Sequence, residues 1–213
     1  MAKGNKVLLE YLISIIESRD FSAEHHCERV RLYTEVLLEK VMKYCPEYHL
    51  TDKKCKQIAF AAMFHDMGKI SVPDRILQKP GRLSYDEFQI VKNHTRKGRQ
   101  IFEHVLKTMS QKDEEFTIYQ YCAEICMYHH ERFDGGGYPS GLKKDEIPIS
   151  AQVVGLADAY DALISERIYK PAFDKEEAFE MIVDGKCGIF HPRLIEIFSM
   201  VRMELEEIQE EIG

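Results

Sequence analysis

The chain has no apolar run long enough to cross a membrane, no paired cysteine framework, no excess of positive charge and no stretch of strand-like alternation. Each absence closes a class of function. The one apolar run near the N-terminus, residues 7–16, is interrupted by Glu10 and Ser14 and lacks a small-residue cleavage site, so it reads neither as a membrane span nor as a signal peptide. The six cysteines, Cys27, Cys45, Cys55, Cys122, Cys126 and Cys187, are scattered, which reads as reduced and mostly buried thiols of a cytoplasmic protein. With 29 basic against 36 acidic residues and a net charge of −7, no positive face is left for a long nucleic acid, although a small anionic substrate can bind where cations gather locally. Internal repeats and low-complexity segments are missing too. A length of 213 residues, 45% of them hydrophobic, suffices to bury one core.

What is present is helical periodicity, so the fold is expected to be all-α. Leu8, Leu9, Leu12, Ile13 and Ile16 make an apolar stripe over residues 6–19, the mark of a helix that packs on the domain or on a partner. A second helix is expected over residues 24–44, with His25 and His26 in its first turn, and Thr51 caps a third. Ser84 and Glu87 form a capping box that opens one helix carrying Phe88, Val91, His94, Gly98, Phe102 and Val105. Residues 107–115 are a polar connector. Ser150 is expected to cap an apolar helix through Leu163, and two last helices span residues 174–184 and 193–211.

The chemistry gathers around residues 129–142. There His129 and His130 are followed by a glycine run that no helix tolerates, so a helix delivers two imidazoles to a pocket and a tight loop folds over it. Earlier in the chain, His65 and Asp66 sit at a helix end, where one imidazole and one bridging carboxylate can serve metal ions. Asp158 and Asp161 share a helical face among residues that should be buried, and a buried carboxylate is costly unless paired or metal-bound. A competing metal site is open at Cys122, Cys126 and His129 or His130, one turn apart, with ordinary core thiols as the plainer explanation of that spacing. His49 and His104 read as surface residues.

Together HDMGK at 65–69, the lone His94, HHERFDGGGYPSGL at 129–142 and DAYDALISERIYK at 158–170 resemble the HD-GYP subfamily of HD-domain metal-dependent phosphohydrolases. The resemblance implies an HD-domain helical bundle over residues 20–213 with a central metal site, preceded by a connector helix at 1–19 that leads to an upstream sensory domain or a dimer partner. It implies two divalent metal ions, with His26, His65, Asp66 and Asp158 at the first and His94, His129 and His130 at the second, Asp66 bridging. Lys69 is implied beside the reacting phosphate, and Tyr138, Arg167 and Lys170 at the rest of the substrate. The implied substrate is a cyclic dinucleotide, chiefly cyclic di-GMP, with cyclic GMP-AMP as an alternative.

The chain departs from the family pattern at Ser22, which stands where three-metal members carry a glutamate, so two ions are expected. It departs again at His191, where the family's helix-capping aspartate is replaced; the replacement is expected to weaken the cap by about 1 kcal/mol. Histidine and carboxylate ligands without thiolate favour iron or manganese. The rival readings are a non-catalytic dinucleotide receptor or interaction module on the same fold, and a hydrolase of ordinary nucleotides, which the GYP loop disfavours.

Overall fold

In the computed structural model, α8 (Ile149–Ile164) is apolar on almost every side, and the rest of the molecule is packed around it; only Ile149 and Ala162 of its sixteen residues escape full burial. The structure describes residues 3–19, 25–166 and 172–212, with side chains from residue 11 onward in the first of these segments. Among the described residues there is no strand. In chain order the other helices are α1 (Lys3–Arg19), α2 (His26–Tyr44), α3 (Asp52–Ala62), α4 (Asp74–Leu77), α5 (Tyr85–Lys92), α6 (His94–Thr108), α7 (Phe116–Tyr128), α9 (Lys175–Val183), α10 (Pro192–Met200) and α11 (Arg202–Ile212). Helices α2, α7 and α9 pack on α8, and α3 lies across α2 and α7. Leu37, Leu38, Phe64, Ile125, Leu156 and Phe198 are among the fully buried side chains where these helices meet. Each such burial stabilises the fold by about 1.5–3 kcal/mol before chain entropy is counted.

Several expected elements appear as read. Thr51 Oγ1 accepts from Lys54 N at 3.3 Å to cap α3, and the capping box at α5 is complete, with Glu87 N donating to Ser84 Oγ and Ser84 N donating to Glu87 Oε2. Four expectations are corrected. The single helix expected from Ser84 through Val105 is two, α5 and α6, broken at Asn93. At the break the carbonyls of Val91 and Lys92 accept from the His94 ring and the Thr95 hydroxyl. Ser150 does not cap α8; it lies inside the helix, where its hydroxyl donates to Glu124 Oε1 at 2.5 Å, and Pro148 holds the cap position. The expected last helix is also two, since Val201 leaves helical geometry at φ −104° and ψ 9°; the apolar stripe continues on both sides and α10 and α11 both lie against α2. Finally, His191 does cap α10, because an unprotonated imidazole nitrogen is an acceptor as a carboxylate oxygen is: Arg193 N donates to His191 Nδ1 at 3.0 Å.

Candidate metal centre

Two close backbone contacts bring the ligand-type residues together. After α3 the chain turns inward through Phe64, His65 and Asp66 and enters a short 3-10 helix, Met67–Ser71, which packs on α6. A Cβ on Gly68 would overlap the His94 carbonyl, so glycine lets this turn press directly on the start of α6 and sets Asp66 beside His94. On the other side a Cβ on Gly155 would overlap the His129 carbonyl, which lets α8 approach the end of α7. Asp158, one turn further along α8, then faces the same centre.

Four imidazoles are oriented alike. Each Nδ1 is matched to an acceptor: His26 to Asp161 Oδ2 at 2.7 Å, His65 to the Ala62 carbonyl at 2.8 Å, His94 to the Val91 carbonyl at 2.7 Å and His129 to the Ile125 carbonyl at 2.9 Å. A neutral ring that donates from Nδ1 carries its lone pair on Nε2. These Nε2 atoms face one another, 3.1 Å apart for His26 and His65 and 3.5 Å for His94 and His129. Lone pairs at such distances repel unless a cation lies between them.

Asp66 stands where the two pairs meet. Its Oδ1 is 3.2 Å from His94 Nε2 and 3.9 Å from His129 Nε2, and its Oδ2 is 3.4 Å from His65 Nε2 and 2.6 Å from Lys69 Nζ. Asp66 Oδ1 is buried and accepts no hydrogen bond, a costly state that a metal ligand avoids. Asp158 Oδ1 is 3.6 Å from His26 Nε2 and 3.7 Å from His65 Nε2. The ligand atoms of Asp66, His94, His129 and His130 lie within 4.8 Å of one another, as do those of His26, His65 and Asp66. The residues present therefore fit divalent cations at two adjoining positions that share one carboxylate.

Charge follows the geometry. Burial alone would raise both carboxyls, but Lys69 and His65 around Asp66, and His65 and His26 around Asp158, outweigh it and hold both well below the usual range. Burial, joined by the charge of His65 and His94, pushes His129 down to about 3, and burial with His129 and His94 holds His130 well below the ordinary imidazole value. His65 differs: burial would lower it, yet Asp66 and Asp158 push it up to about 10.

The glycine loop closes over this centre. The Tyr138 ring stacks on His130 with centroids 4.7 Å apart, and the buried Glu131 carboxylate accepts from Ser140 N at 2.6 Å and Leu142 N at 3.0 Å. Above the ligands opens a cleft of about 700 Å³, lined by Asp66, Asp158, His94, His130, Lys69 and Tyr138, among others. That volume is in the range of small-molecule sites.

The structure thus brings together His26, His65, Asp66, Lys69, His94, His129, His130, Tyr138 and Asp158. Arg167, Lys170 and Ser22 lie outside the described residues. Cys122 and Cys126 stay out of the centre: Cys126 Sγ donates to the Phe64 carbonyl at 3.0 Å, and burial pushes both thiols up. Sequence reasoning assigned no role in the site to three residues. Asp161 orients His26 and accepts from Arg29 Nε at 2.6 Å; its three-residue spacing from Asp158 was the available signal. Arg29 and Glu131 gave none, because an arginine or glutamate next to a motif is ordinarily solvated.

Comparison with known proteins agrees with this geometry. The family profile described as HD domain matches residues 10–192. The chain belongs to the HD domain family, in its HD-GYP subfamily. This HD domain is 39% identical over 201 residues to a protein of Thermotoga maritima named cyclic di-GMP phosphodiesterase, a match covering 94% of the chain and 50% of the relative. A protein of the same name from Vibrio cholerae is 38% identical over 92% of the chain and 39% of its own length. A third relative, named 3′3′-cGAMP-specific phosphodiesterase 2, also from Vibrio cholerae, is 34% identical over 92% of the chain and 35% of its own length. The chain spans about half the length, or less, of these relatives. Among solved structures, an HDG"Y"P protein from Bdellovibrio bacteriovorus shares the fold with a TM-score of 0.61 at 23% identity, over 87% of this chain and 52% of that one.

Proposed function

We propose that this HD domain hydrolyses a phosphodiester bond of a cyclic dinucleotide, cyclic di-GMP first and cyclic GMP-AMP as the alternative, on a centre of two divalent cations. The observation that carries the proposal is the meeting of two ligand groups at Asp66 on the floor of a cleft. The names of the relatives support the substrate class. His26, His65, Asp66 and Asp158 would hold one ion, and His94, His129 and His130, again with Asp66, the other. A donor set of nitrogen and oxygen alone supports iron or manganese. When bound, such ions generate a nucleophile from water near neutral pH and spread the charge of the phosphate.

The chain's own groups do the rest. Asp161 and the carbonyls of Ala62, Val91 and Ile125 fix four imidazoles with their lone pairs inward. Lys69, 2.6 Å from Asp66 Oδ2, keeps a positive charge where negative charge builds on the phosphate. Tyr138 narrows the cleft over the substrate, and Arg167 and Lys170 would hold the phosphate that is not cut.

The N-terminal helix, residues 1–19, would act as a connector to an upstream sensory domain or a dimer partner. Its buried Ile13 and Ile16 and its exposed Tyr11 support a helix that both packs and projects. A cytoplasmic location fits a chain in which no described helix is long and apolar enough to cross a membrane. Metal analysis with product chromatography on cyclic di-GMP and cyclic GMP-AMP tests the function. A linear dinucleotide or mononucleotide should form only with the metal-loaded protein, and a fully loaded protein that forms neither is not this enzyme.

A further inference from the structure

Helix α5 wears its apolar side chains outward. None of its eight residues is fully buried, and Tyr85, Phe88 and Ile90 are 77%, 42% and 44% exposed. Three large apolar side chains left open within six residues mark a surface that something covers. Tyr85 and Phe88 are one helical turn apart, and both line the cleft above Asp66 and Asp158. Tyr138 extends the same wall, its ring meeting Phe88 edge to face with centroids 6.3 Å apart. Lys92, which lines a neighbouring groove and not the cleft, has its Nζ 4.8 Å from the Phe88 centroid and 5.1 Å from that of Tyr138.

The charge of the cleft identifies the occupant. Lys69, Lys79, Arg82 and Arg132 line it, Lys69 paired with Asp66 and Lys79 with Glu87, and among the described residues the only carboxylates in its lining are Asp66 and Asp158 on the floor. A lipid chain would need the aromatic wall but not the cations, and an inorganic anion the reverse. Flat rings joined to phosphates need both.

We propose that Tyr85 and Phe88 form a stacking platform for a purine base of the substrate, placing the ring beside Arg82 while a phosphate reaches the floor. The platform rests on the reading of the chain as a cyclic-dinucleotide phosphodiesterase and adds the residues that recognise the base. It belongs to specificity and not to bond cleavage, since neither ring is within either ligand group.

The chain contains no tryptophan, so Tyr85→Trp installs a single indole reporter on the platform. Titrating the metal-loaded variant with a hydrolysis-resistant phosphorothioate of cyclic di-GMP should quench its emission saturably, and adding Phe88→Ala should weaken that titration about tenfold. In kinetics, Tyr85→Ala and Phe88→Ala should each lower the preference for cyclic di-GMP over methyl p-nitrophenyl phosphate, a diester without a purine, by about tenfold through KM, and Tyr85→Phe should restore it. Because α5 contributes no fully buried side chain, these variants fold. Wild-type protein that hydrolyses cyclic di-GMP with the preference unchanged in both alanine variants overturns the platform alone. Wild-type protein that cleaves the small diester but neither binds nor cleaves cyclic di-GMP or cyclic GMP-AMP overturns the functional reading, and the platform with it.

Discussion

Asp161 accepts the Nδ1 proton of His26 at 2.7 Å while the Arg29 guanidinium donates to the same carboxylate at 2.6 Å. All three side chains are buried. The pair fixes which nitrogen of His26 faces Asp158 and His65, so Asp161 would govern an ion held there without touching it. Asp161→Asn keeps the shape but weakens the orienting bond. Metal affinity at the position of His26 and His65 should fall about 10- to 100-fold, with the position of His94 and His129 retained, as read by metal titration. Asp161→Ala, which leaves Arg29 buried without its carboxylate, should destabilise the fold by about 3–5 kcal/mol in denaturant unfolding.

Asp66 and Asp158 should separate in a metal count. If Asp66 bridges, Asp66→Ala empties both positions, whereas Asp158→Ala empties only the one beside His26 and His65. Elemental analysis of purified protein should give about two ions for the wild type, about one for Asp158→Ala and close to none for Asp66→Ala. Equal losses in the two variants would refute the shared-carboxylate arrangement.

Lys69 and the pair Arg167 and Lys170 should divide kinetically. Lys69 sits at the floor beside Asp66, so Lys69→Ala should lower kcat by about 10²–10³ with a smaller change in KM. Arg167→Ala and Lys170→Ala should raise KM with metal content intact. Steady-state kinetics on cyclic di-GMP decides, and a Lys69 variant affected in KM alone would place that lysine in binding only.

Glu124, away from the centre, should make stability depend on pH. Burial raises its carboxyl above the usual value, and the Ser150 hydrogen bond only partly offsets this. The folded protein therefore holds a proton that the unfolded chain has lost, and this contribution is complete below the unfolded value and disappears as pH rises through the folded one. Glu124→Gln keeps the acceptor for Ser150 and removes the charge. It should raise the melting temperature near neutral pH and flatten the pH dependence above about pH 4.3, the ordinary glutamate value; a variant that melts in parallel with wild type at every pH would show that Glu124 does not titrate with folding.

The all-helical architecture was legible because helical spacing repeats along most of the chain, and so were the capping residues Thr51 and Ser84, whose chemistry is local. The break at Asn93 was not, because the donors that take over the Val91 and Lys92 carbonyls are side chains with no periodic signature. The convergence of His26, His65, Asp66, His94, His129, His130 and Asp158 came from resemblance; spacing alone only set His94 on a helix among apolar residues. The inward aim of each ring depends on acceptors such as the Ala62 and Ile125 carbonyls. Every residue has such a carbonyl, so sequence cannot single them out. His191 shows the converse: a residue that departs from a pattern can still perform its task when a lone pair falls in the right place.

Helix α5 and helix α8 face the same cleft under opposite constraints. Almost any change in α8 disturbs the core and the centre together, because fourteen of its residues are buried and Asp158 is one of them. In α5 no side chain is fully buried, and apart from the capping Glu87 its side chains stand at the surface or along the cleft wall. On the proposed reading, changes in the exposed side chains Tyr85 and Phe88 would reshape the wall of the cleft and leave the ligand-type residues of its floor where they are.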